Sequence, residues 1–236
     1  MKKPQLYLLP VPLSETDIQT IPEYNRQIMS NIRYFIVERV RTARRFLRKL
    51  APDVVIDELT FFELNKRTTP EELSEMLAPI WQGYDVGLMS EAGCPGVADP
   101  GALIVEMAHE SGIVVHPLVG PSSILLALMG SGMNGQSFSF HGYLPAKKEQ
   151  LVPALRKLEQ VSGQTGGAQL FIETPYRNQQ VFAQAMACLS AKTKLTIAAD
   201  LTTESQYIVT KSIGQWKQAP PPALHKRPVV FVLQAH

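Results

Sequence analysis

The chain has 236 residues and a formal net charge of +2, and its 45% hydrophobic and 19% charged content is typical of an ordinary globular protein. The two cysteines, Cys94 and Cys188, lie far apart, which argues against a disulfide framework and a paired-cysteine zinc site and indicates a reducing cytoplasm. No apolar run approaches the roughly 20 residues of a membrane helix, and the first residues lack the apolar stretch of a secretory signal, so we expect a soluble, unprocessed, cytoplasmic protein.

Short apolar runs alternate with segments of helical periodicity over the first 133 residues, which is the pattern of a βαβ architecture. Pro70 and Pro100 suit the first turns of two helices. The predicted strands lie at 5–11, 34–37, 54–57, 85–89 and 113–116, and the predicted helices at 42–50, 71–81, 100–111 and 122–131. We therefore predict an α/β domain over residues 1–133, with a mostly parallel sheet and flanking helices.

The pattern changes after a predicted linker at 132–135. We predict a strand beginning at Phe138, a helix over 147–161, a glycine-rich break at 162–167 and a helix over 179–191. Further strands are predicted at 169–173, 195–199, 206–212 and 228–233. The last three strands have little between them, which indicates antiparallel pairing. Residues 136–236 are thus predicted to form a smaller mixed-sheet α/β domain.

The segment SEAGCPGVADPG, residues 90–101, follows a predicted strand and precedes a helix. Ligands of open α/β sheets bind beyond the carboxyl ends of strands, and glycines let a ligand contact the main chain. The alternative is a turn-rich crossover in which Asp99 caps the following helix. Because GxxxxGK[ST] is absent and no GxGxxG follows the first strand, triphosphate and standard dinucleotide sites are disfavoured.

A second loop, PLVGPSS at residues 117–123, also follows a strand and opens a helix. Ser122 and Ser123 could bond a ligand, or they could cap their own helix. Both loops should lie at the same edge of the sheet, which favours a ligand cleft there.

Seven segments resemble, in order, those of the tetrapyrrole methylase superfamily. They are LYLLPVP, IVERVRTARRFLRKL, SEAGCPGVADPG, VGPSS, HGYLPAKK, FIETPYR and DLTTES. Within that superfamily the chain is most similar to the ribosomal RNA small subunit methyltransferase I group, which methylates a cytidine ribose 2′-hydroxyl in small-subunit ribosomal RNA.

The resemblance implies a two-domain tetrapyrrole-methylase-like fold and a homodimeric S-adenosylmethionine-dependent methyltransferase that needs no metal. The cofactor is expected in a cleft between the two domains, held largely by main-chain contacts. By position, the resemblance assigns cofactor binding to Leu13, Gly93, Cys94, Pro95, Val97, Ser122, Ser123, Ile172, Glu173, Leu201 and Pro228.

Six cationic residues occur within the eleven positions 39–49. Helical spacing aligns four of them on one side of a helix whose apolar residues turn inward. Arginine binds phosphate in a two-pronged fashion, so this face is a candidate RNA-binding surface, although a solvated helix face is the alternative. The four aligned residues are Arg41, Arg44, Arg45 and Arg48.

A neutral ribose hydroxyl is a poor nucleophile, so a nearby base would assist methyl transfer. Glu38 and Glu91, each just beyond a predicted strand, are the catalytic candidates, with Glu173 as a third. Each could instead make only a local contact. Tyr176 and Arg177 could stack on or hold the substrate, or simply start a helix.

Several positions depart from the pattern of the RNA-modifying group. Leu13-Ser14-Glu15 replaces its usual Gly-Asn, Arg39 replaces an acid, and Thr203 replaces a lysine. The sequence also ends at His236 without the carboxyl-terminal extension common in that group. The methyl acceptor could therefore be a corrin or porphyrin precursor, and a non-catalytic cofactor- or RNA-binding module is a third reading.

Overall fold

The computed structural model describes residues 3–235, and the chain divides into one unit up to Ser122 and a second from Ser123. This boundary lies before the linker predicted at 132–135. The helix Ser123–Ser131 packs against strands of the second sheet, and Thr210 Oγ1 donates to the carbonyl of Ser131 at 2.8 Å. Helical periodicity cannot show which sheet a helix covers. His236, the last residue of the predicted second domain, lies outside the described residues.

Five parallel strands form the sheet of the first unit, as predicted. They are β1 (Gln5–Leu8), β2 (Tyr34–Val37), β3 (Thr60–Glu63), β4 (Val86–Met89) and β5 (Val114–Pro117). Their order in the sheet is β3-β2-β4-β1-β5, and every neighbouring pair is parallel. All five strands therefore end at the same edge, so the loops that follow them collect there.

Four α-helices of the first unit are α1 (Glu23–Met29), α2 (Val40–Leu50), α3 (Pro70–Trp81) and α4 (Gly101–Glu110). A capping box starts α3: Thr69 N–H donates to Glu72 Oε2 at 2.7 Å, and Glu72 N–H donates to Thr69 Oγ1 at 3.3 Å. Pro70 occupies the first turn, as predicted. In α2, the buried face comprises Ala43, Leu47 and Leu50, also as predicted.

The strand predicted at 54–57 is wrong. This segment leads into a short 3₁₀ helix, Ile56–Glu58, and the third strand of the chain is β3. The β-branched residues Val54 and Val55 have a high strand propensity, which explains the prediction. In the structure, however, Thr60 is the residue that pairs in register with Tyr34. Tertiary pairing thus overrides a short local preference.

The second unit contains a mixed five-stranded sheet. Its strands are β6 (Phe138–Tyr143), β7 (Ala168–Glu173), β8 (Lys194–Ala199), β9 (Tyr207–Ser212) and β10 (Val229–Gln234), in the order β6-β7-β10-β8-β9. Only β6 and β7 pair in parallel; the other neighbours are antiparallel. The mixed sheet confirms the predicted fold class.

Four helices accompany this sheet: α5 (Ser123–Ser131), α6 (Lys148–Thr165), α7 (Asn178–Cys188) and α8 (Ile213–Gln218). The predicted break at 162–167 is too long, because α6 continues to Thr165 and ends at Gly166, whose φ is +69°. Ser162 is fully buried and its hydroxyl donates to the carbonyl of Gly167 at 2.8 Å, which fixes this helix end. No helix within residues 3–235 combines the length and apolar character needed to cross a membrane.

Candidate active site

The loops after β1, β4 and β5 are joined to one another at the carboxyl edge of the first sheet. Val11 N–H donates to the carbonyl of Gly93 at 2.9 Å, and Gly93 N–H donates to the carbonyl of Val11 at 3.1 Å. The thiol of Cys94 donates to the carbonyl of Pro121 at 3.4 Å. The two loops at 90–101 and 117–123 therefore lie side by side, as the sequence predicted.

Glycine is required where these loops approach most closely. A Cβ on Gly120 would lie 2.1 Å from Cβ of Pro10, a separation that real atoms do not reach. Gly93 has a φ of +74°, which side-chain-bearing residues rarely adopt. The loop after β5 can therefore pack this closely against the loop after β1 only with glycine at position 120.

Gly120→Ala is expected to lower the free energy of unfolding by about 1–3 kcal/mol, because the added methyl forces Pro10 or the loop to move. Urea unfolding followed by circular dichroism measures this change. Gly163→Ala is the control, because its Cβ would meet nothing closer than 3.8 Å. Equal stability of Gly120→Ala and the unchanged chain would show that the loops are not held as described.

Asp99 organises the 90–101 loop from within. Its Oδ1 accepts from Gly96 N–H at 2.9 Å and from Gly101 N–H at 2.7 Å. Burial raises the pKa of this carboxyl, against the lowering effect of these hydrogen bonds. Asp99 therefore closes the loop onto the start of α4, which agrees with the local contact proposed for it as an alternative.

The two catalytic candidates of the first unit lie together. Glu91 N–H donates to Glu38 Oε1 at 2.9 Å, and Thr42 Oγ1 donates to Glu91 Oε2 at 3.3 Å. Arg39 Nε is 3.9 Å from the same Oε2. Burial raises the pKa of Glu91; Thr42 and Arg39 oppose this shift, whereas the charge of Glu38 adds to it. Burial thus favours the protonated form of the Glu91 carboxyl, and Glu38 holds the main chain of Glu91.

A cavity of about 310 Å³ opens beside these carboxylates. It lies between the loop after β1, helix α2 and the loop after β4. Among its lining residues are Leu13, predicted to bind the cofactor, Glu91, predicted to act in catalysis, and Arg45, predicted to bind RNA. Residues predicted to have three different roles, from three separate segments of the chain, therefore line one cavity. The remaining lining residues are Val11, Pro12, Ser14, Glu15, Ile18, Arg39, Thr42, Ala43, Phe46, Lys49, Met89 and Ser90.

Two arginines of α2 bind acids that come from other segments. Arg44 pairs with Asp57, and Arg45 Nη1 is 2.7 Å from Glu15 Oε1. Within residues 3–235, Arg41 and Arg48 have no ion pair and both are exposed. The four arginines share one side of the helix as predicted, but no local pattern predicts the two acids that partly neutralise this face.

The predicted cofactor residues of the second unit lie at one edge of its sheet. Strand β10 runs antiparallel between β7 and β8, with Val229 opposite both Glu173 and Ala199. The start of β10 therefore meets the ends of the other two strands. This places Pro228 near Ile172 and Glu173, and Leu201 just beyond the end of β8.

Glu173, predicted to contact the cofactor, and Arg177, predicted to hold the substrate, form an ion pair. Arg177 Nη1 is 3.0 Å from Oε2 of Glu173, whose side chain is only 1% exposed. Glu173 Oε1 accepts from Thr174 N–H at 2.7 Å, and Arg177 Nη2 donates to the carbonyl of Ala146 at 3.0 Å. These contacts fix the positions of both charged groups within the second unit. Tyr176, by contrast, is 70% exposed.

An ion pair that no sequence pattern predicted, between Arg227 and Asp200, organises the loop after β8. Arg227 Nε binds Asp200 Oδ2 at 2.6 Å, and Arg227 Nη2 donates to the carbonyl of Ser205 at 2.7 Å. Asp200 and Thr202 have φ values of +47° and +74°. The segment DLTTES marks this loop in the sequence, but nothing local indicates that a residue 27 positions away holds it.

Among the residues that the structure describes, no three His, Cys, Asp or Glu side chains are grouped so that they could hold a metal ion.

Comparison with known proteins defines the class of the fold. No protein-family model matches the chain. The solved structure of the methyltransferase CobJ superposes with a TM-score of 0.64 at 17% identity, covering 97% of this chain and 93% of that one. The fold is therefore the two-domain, tetrapyrrole-methylase-like fold predicted from the sequence.

The sequence relatives are more specific. Ribosomal RNA small subunit methyltransferase I of Vibrio cholerae is 27% identical over 199 residues, 84% of this chain and 65% of that protein. The protein of the same name from Micromonospora olivasterospora is 29% identical over 201 residues, 85% of this chain and 60% of that protein. A third, from Mesorhizobium japonicum, is 35% identical over 128 residues, 54% of this chain and 42% of that protein.

These relatives confirm the resemblance predicted from the sequence motifs: the chain is homologous to proteins named ribosomal RNA small subunit methyltransferase I. The match to the Vibrio cholerae protein spans just under two thirds of that protein's length, at 65%.

Proposed function

We propose that this chain is an S-adenosylmethionine-dependent methyltransferase that modifies a ribose 2′-hydroxyl of RNA, with small-subunit ribosomal RNA as the substrate. The observation that carries the proposal is the single cavity lined by Leu13, Glu91 and Arg45. The names of the sequence relatives support RNA as the acceptor. The family resemblance also supports a cytoplasmic homodimer.

The residues of the two loops suit this cofactor. The stretches 93–97 and 118–123 contain no charged residue. A phosphate-bearing cofactor would call for cations or a phosphate loop here, whereas a sulfonium with an amino acid end suits neutral main-chain groups. We assign cofactor binding in the first unit to Leu13, Gly93, Cys94, Pro95, Val97, Ser122 and Ser123, and in the second to Ile172, Glu173, Leu201 and Pro228.

The methyl transfer requires little from the protein beyond positioning and one proton acceptor. When bound, S-adenosylmethionine would supply an electrophilic methyl group, and its sulfur would keep the electron pair of the C–S bond that breaks as the ribose oxygen is methylated. Glu91 receives the proton of that hydroxyl, and Glu38 holds Glu91 in place through its main-chain N–H. The exposed Arg41 and Arg48, with Arg45 at the cavity, hold the RNA backbone, and Tyr176 offers an exposed ring for a base.

The test is transfer of radiolabelled methyl from S-adenosylmethionine to small ribosomal subunits that lack their native methylations. We expect label at a ribose. The double change Ser122→Ala/Ser123→Ala should weaken cofactor binding about tenfold, because each lost hydrogen bond contributes about 0.5–1.5 kcal/mol. If calorimetry shows cofactor binding but no RNA is labelled, the proposal fails; labelling of a tetrapyrrole precursor in parallel would then identify the alternative acceptor.

A further inference from the structure

We propose that the cavity beside α2 is a binding site for one unstacked nucleotide of the RNA, and that Glu15 occupies its phosphate-binding cations until the RNA displaces it. The proposal rests on the function proposed above. It assigns a binding role to Phe46 and Lys49 and a competing role to Glu15, none of which the family resemblance singles out.

The size and lining of the cavity fit a single nucleotide. Its volume of about 310 Å³ lies at the small end of ligand sites, which leaves no room for a base-paired segment. Its lining includes the buried Val11 and Met89, 4% and 2% exposed, and the partly buried ring of Phe46. Unstacked bases are held by such apolar and aromatic surfaces.

Two of the cations at the cavity contact Glu15, Arg45 at its carboxylate and Lys49 at its main-chain carbonyl. Arg45 Nη1 is 2.7 Å from Glu15 Oε1, and Lys49 Nζ donates to the main-chain carbonyl of Glu15 at 3.2 Å. Arg45 and Lys49 are four residues apart on α2, so they lie on the same side of the helix. A guanidinium and an ammonium at this spacing can receive a phosphate, and the Glu15 carboxylate takes the place of that phosphate at the Arg45 guanidinium.

The Glu15 contact is weak enough to be replaced. The side chains of Glu15 and Arg45 are 64% and 44% exposed, and exposed ion pairs contribute little to stability. A nucleotide replaces the carboxylate by a phosphate and in addition brings a base into the apolar part of the cavity. Glu91 lines the same cavity, so the ribose of the bound nucleotide is held beside the proposed base.

The experiment titrates nucleoside 5′-monophosphates and ribose 5-phosphate onto the full chain by calorimetry. We expect at least one nucleotide to bind about tenfold or more tightly than ribose 5-phosphate, because base stacking supplies the difference. Glu15→Gln should raise nucleotide affinity about two- to fivefold, the range set by an exposed ion pair. Asp57→Asn is the matched control, because it frees Arg44 on the same helix but Asp57 does not line the cavity, and it should leave nucleotide affinity unchanged.

The site is refuted if no nucleotide binds more tightly than ribose 5-phosphate, or if Glu15→Gln and Asp57→Asn have the same effect. Radiolabelled methyl transfer to ribosomal subunits, run in parallel, separates this outcome from failure of the proposed function. If RNA is labelled but Glu15→Gln does not raise nucleotide affinity, only the proposed nucleotide site is overturned. If Glu15→Gln raises nucleotide affinity but no RNA is labelled, the nucleotide site is supported and the proposed RNA methyltransferase function is overturned.

Discussion

Replacing Glu91 by glutamine is expected to lower kcat for RNA methylation by about 10²- to 10⁴-fold, the contribution of a positioned base. Glutamine keeps the shape of the side chain and an oxygen that can accept from Thr42, but it cannot receive a proton. Because Glu91 is proposed to act on the hydroxyl only during transfer, KM for cofactor and RNA should change little. Single-turnover kinetics with labelled cofactor separate the two effects.

The pH dependence gives this prediction a second readout. Burial raises the pKa of Glu91 above its ordinary value of 4.5, so the rate should rise with pH through a value above that of a free glutamate. Glu38→Gln removes a charge that raises the pKa of Glu91, and this variant should shift the rise to lower pH. A Glu91→Gln enzyme with full kcat would exclude Glu91 as the base.

Stability measurements distinguish loss of the base from loss of the fold. Because the folded state raises the pKa of Glu91, it binds that proton more tightly than the unfolded state does. The ionised carboxylate therefore lowers stability above the folded pKa, and this penalty disappears as the pH falls below about 4.5. Glu91→Gln should consequently unfold at the same or a slightly higher temperature than the unchanged chain at neutral pH.

The combined change Arg41→Gln/Arg45→Gln/Arg48→Gln is expected to weaken RNA binding by about 100-fold or more, because three charge-assisted phosphate contacts are lost. The slope of log affinity against log salt should become shallower by about 2 to 3. Fluorescence anisotropy of a labelled RNA between low and physiological salt measures both. Because all three side chains are exposed on α2, the fold should be retained.

A control with the same loss of charge tests whether the position matters. Arg156, Lys157 and Lys192 are all exposed and lie in the second unit. If the three α2 arginines form the RNA surface, neutralising these other cations should have a much smaller effect on affinity and slope. An equal effect would mean that RNA responds to net charge alone, and α2 would lose its assigned role.

Local signals in the sequence were sufficient for the fold class and for the loops. The alternation of apolar runs and helical segments predicted the parallel sheet of the first unit, and the closely spaced last strands predicted antiparallel pairing in the second. The glycine-rich loops were placed correctly at one sheet edge, because parallel strands end together. The sequence failed at 54–57, where Val54 and Val55 look like a strand but the pairing begins at Thr60.

The cavity could not be predicted, because it depends on contacts between residues far apart in the chain. Glu15 meets Arg45 and Glu38 meets Glu91 only because the sheet order places β4 between β2 and β1. Periodicity reports which face of an element is apolar, but it carries no information on which element is its neighbour. Local sequence signals thus predicted most of the helices and strands, the loops and the chemical types of their residues. The tertiary structure decided which acid braces Glu91, which acid neutralises Arg45 and that a single cavity joins them, because those choices follow from strand order.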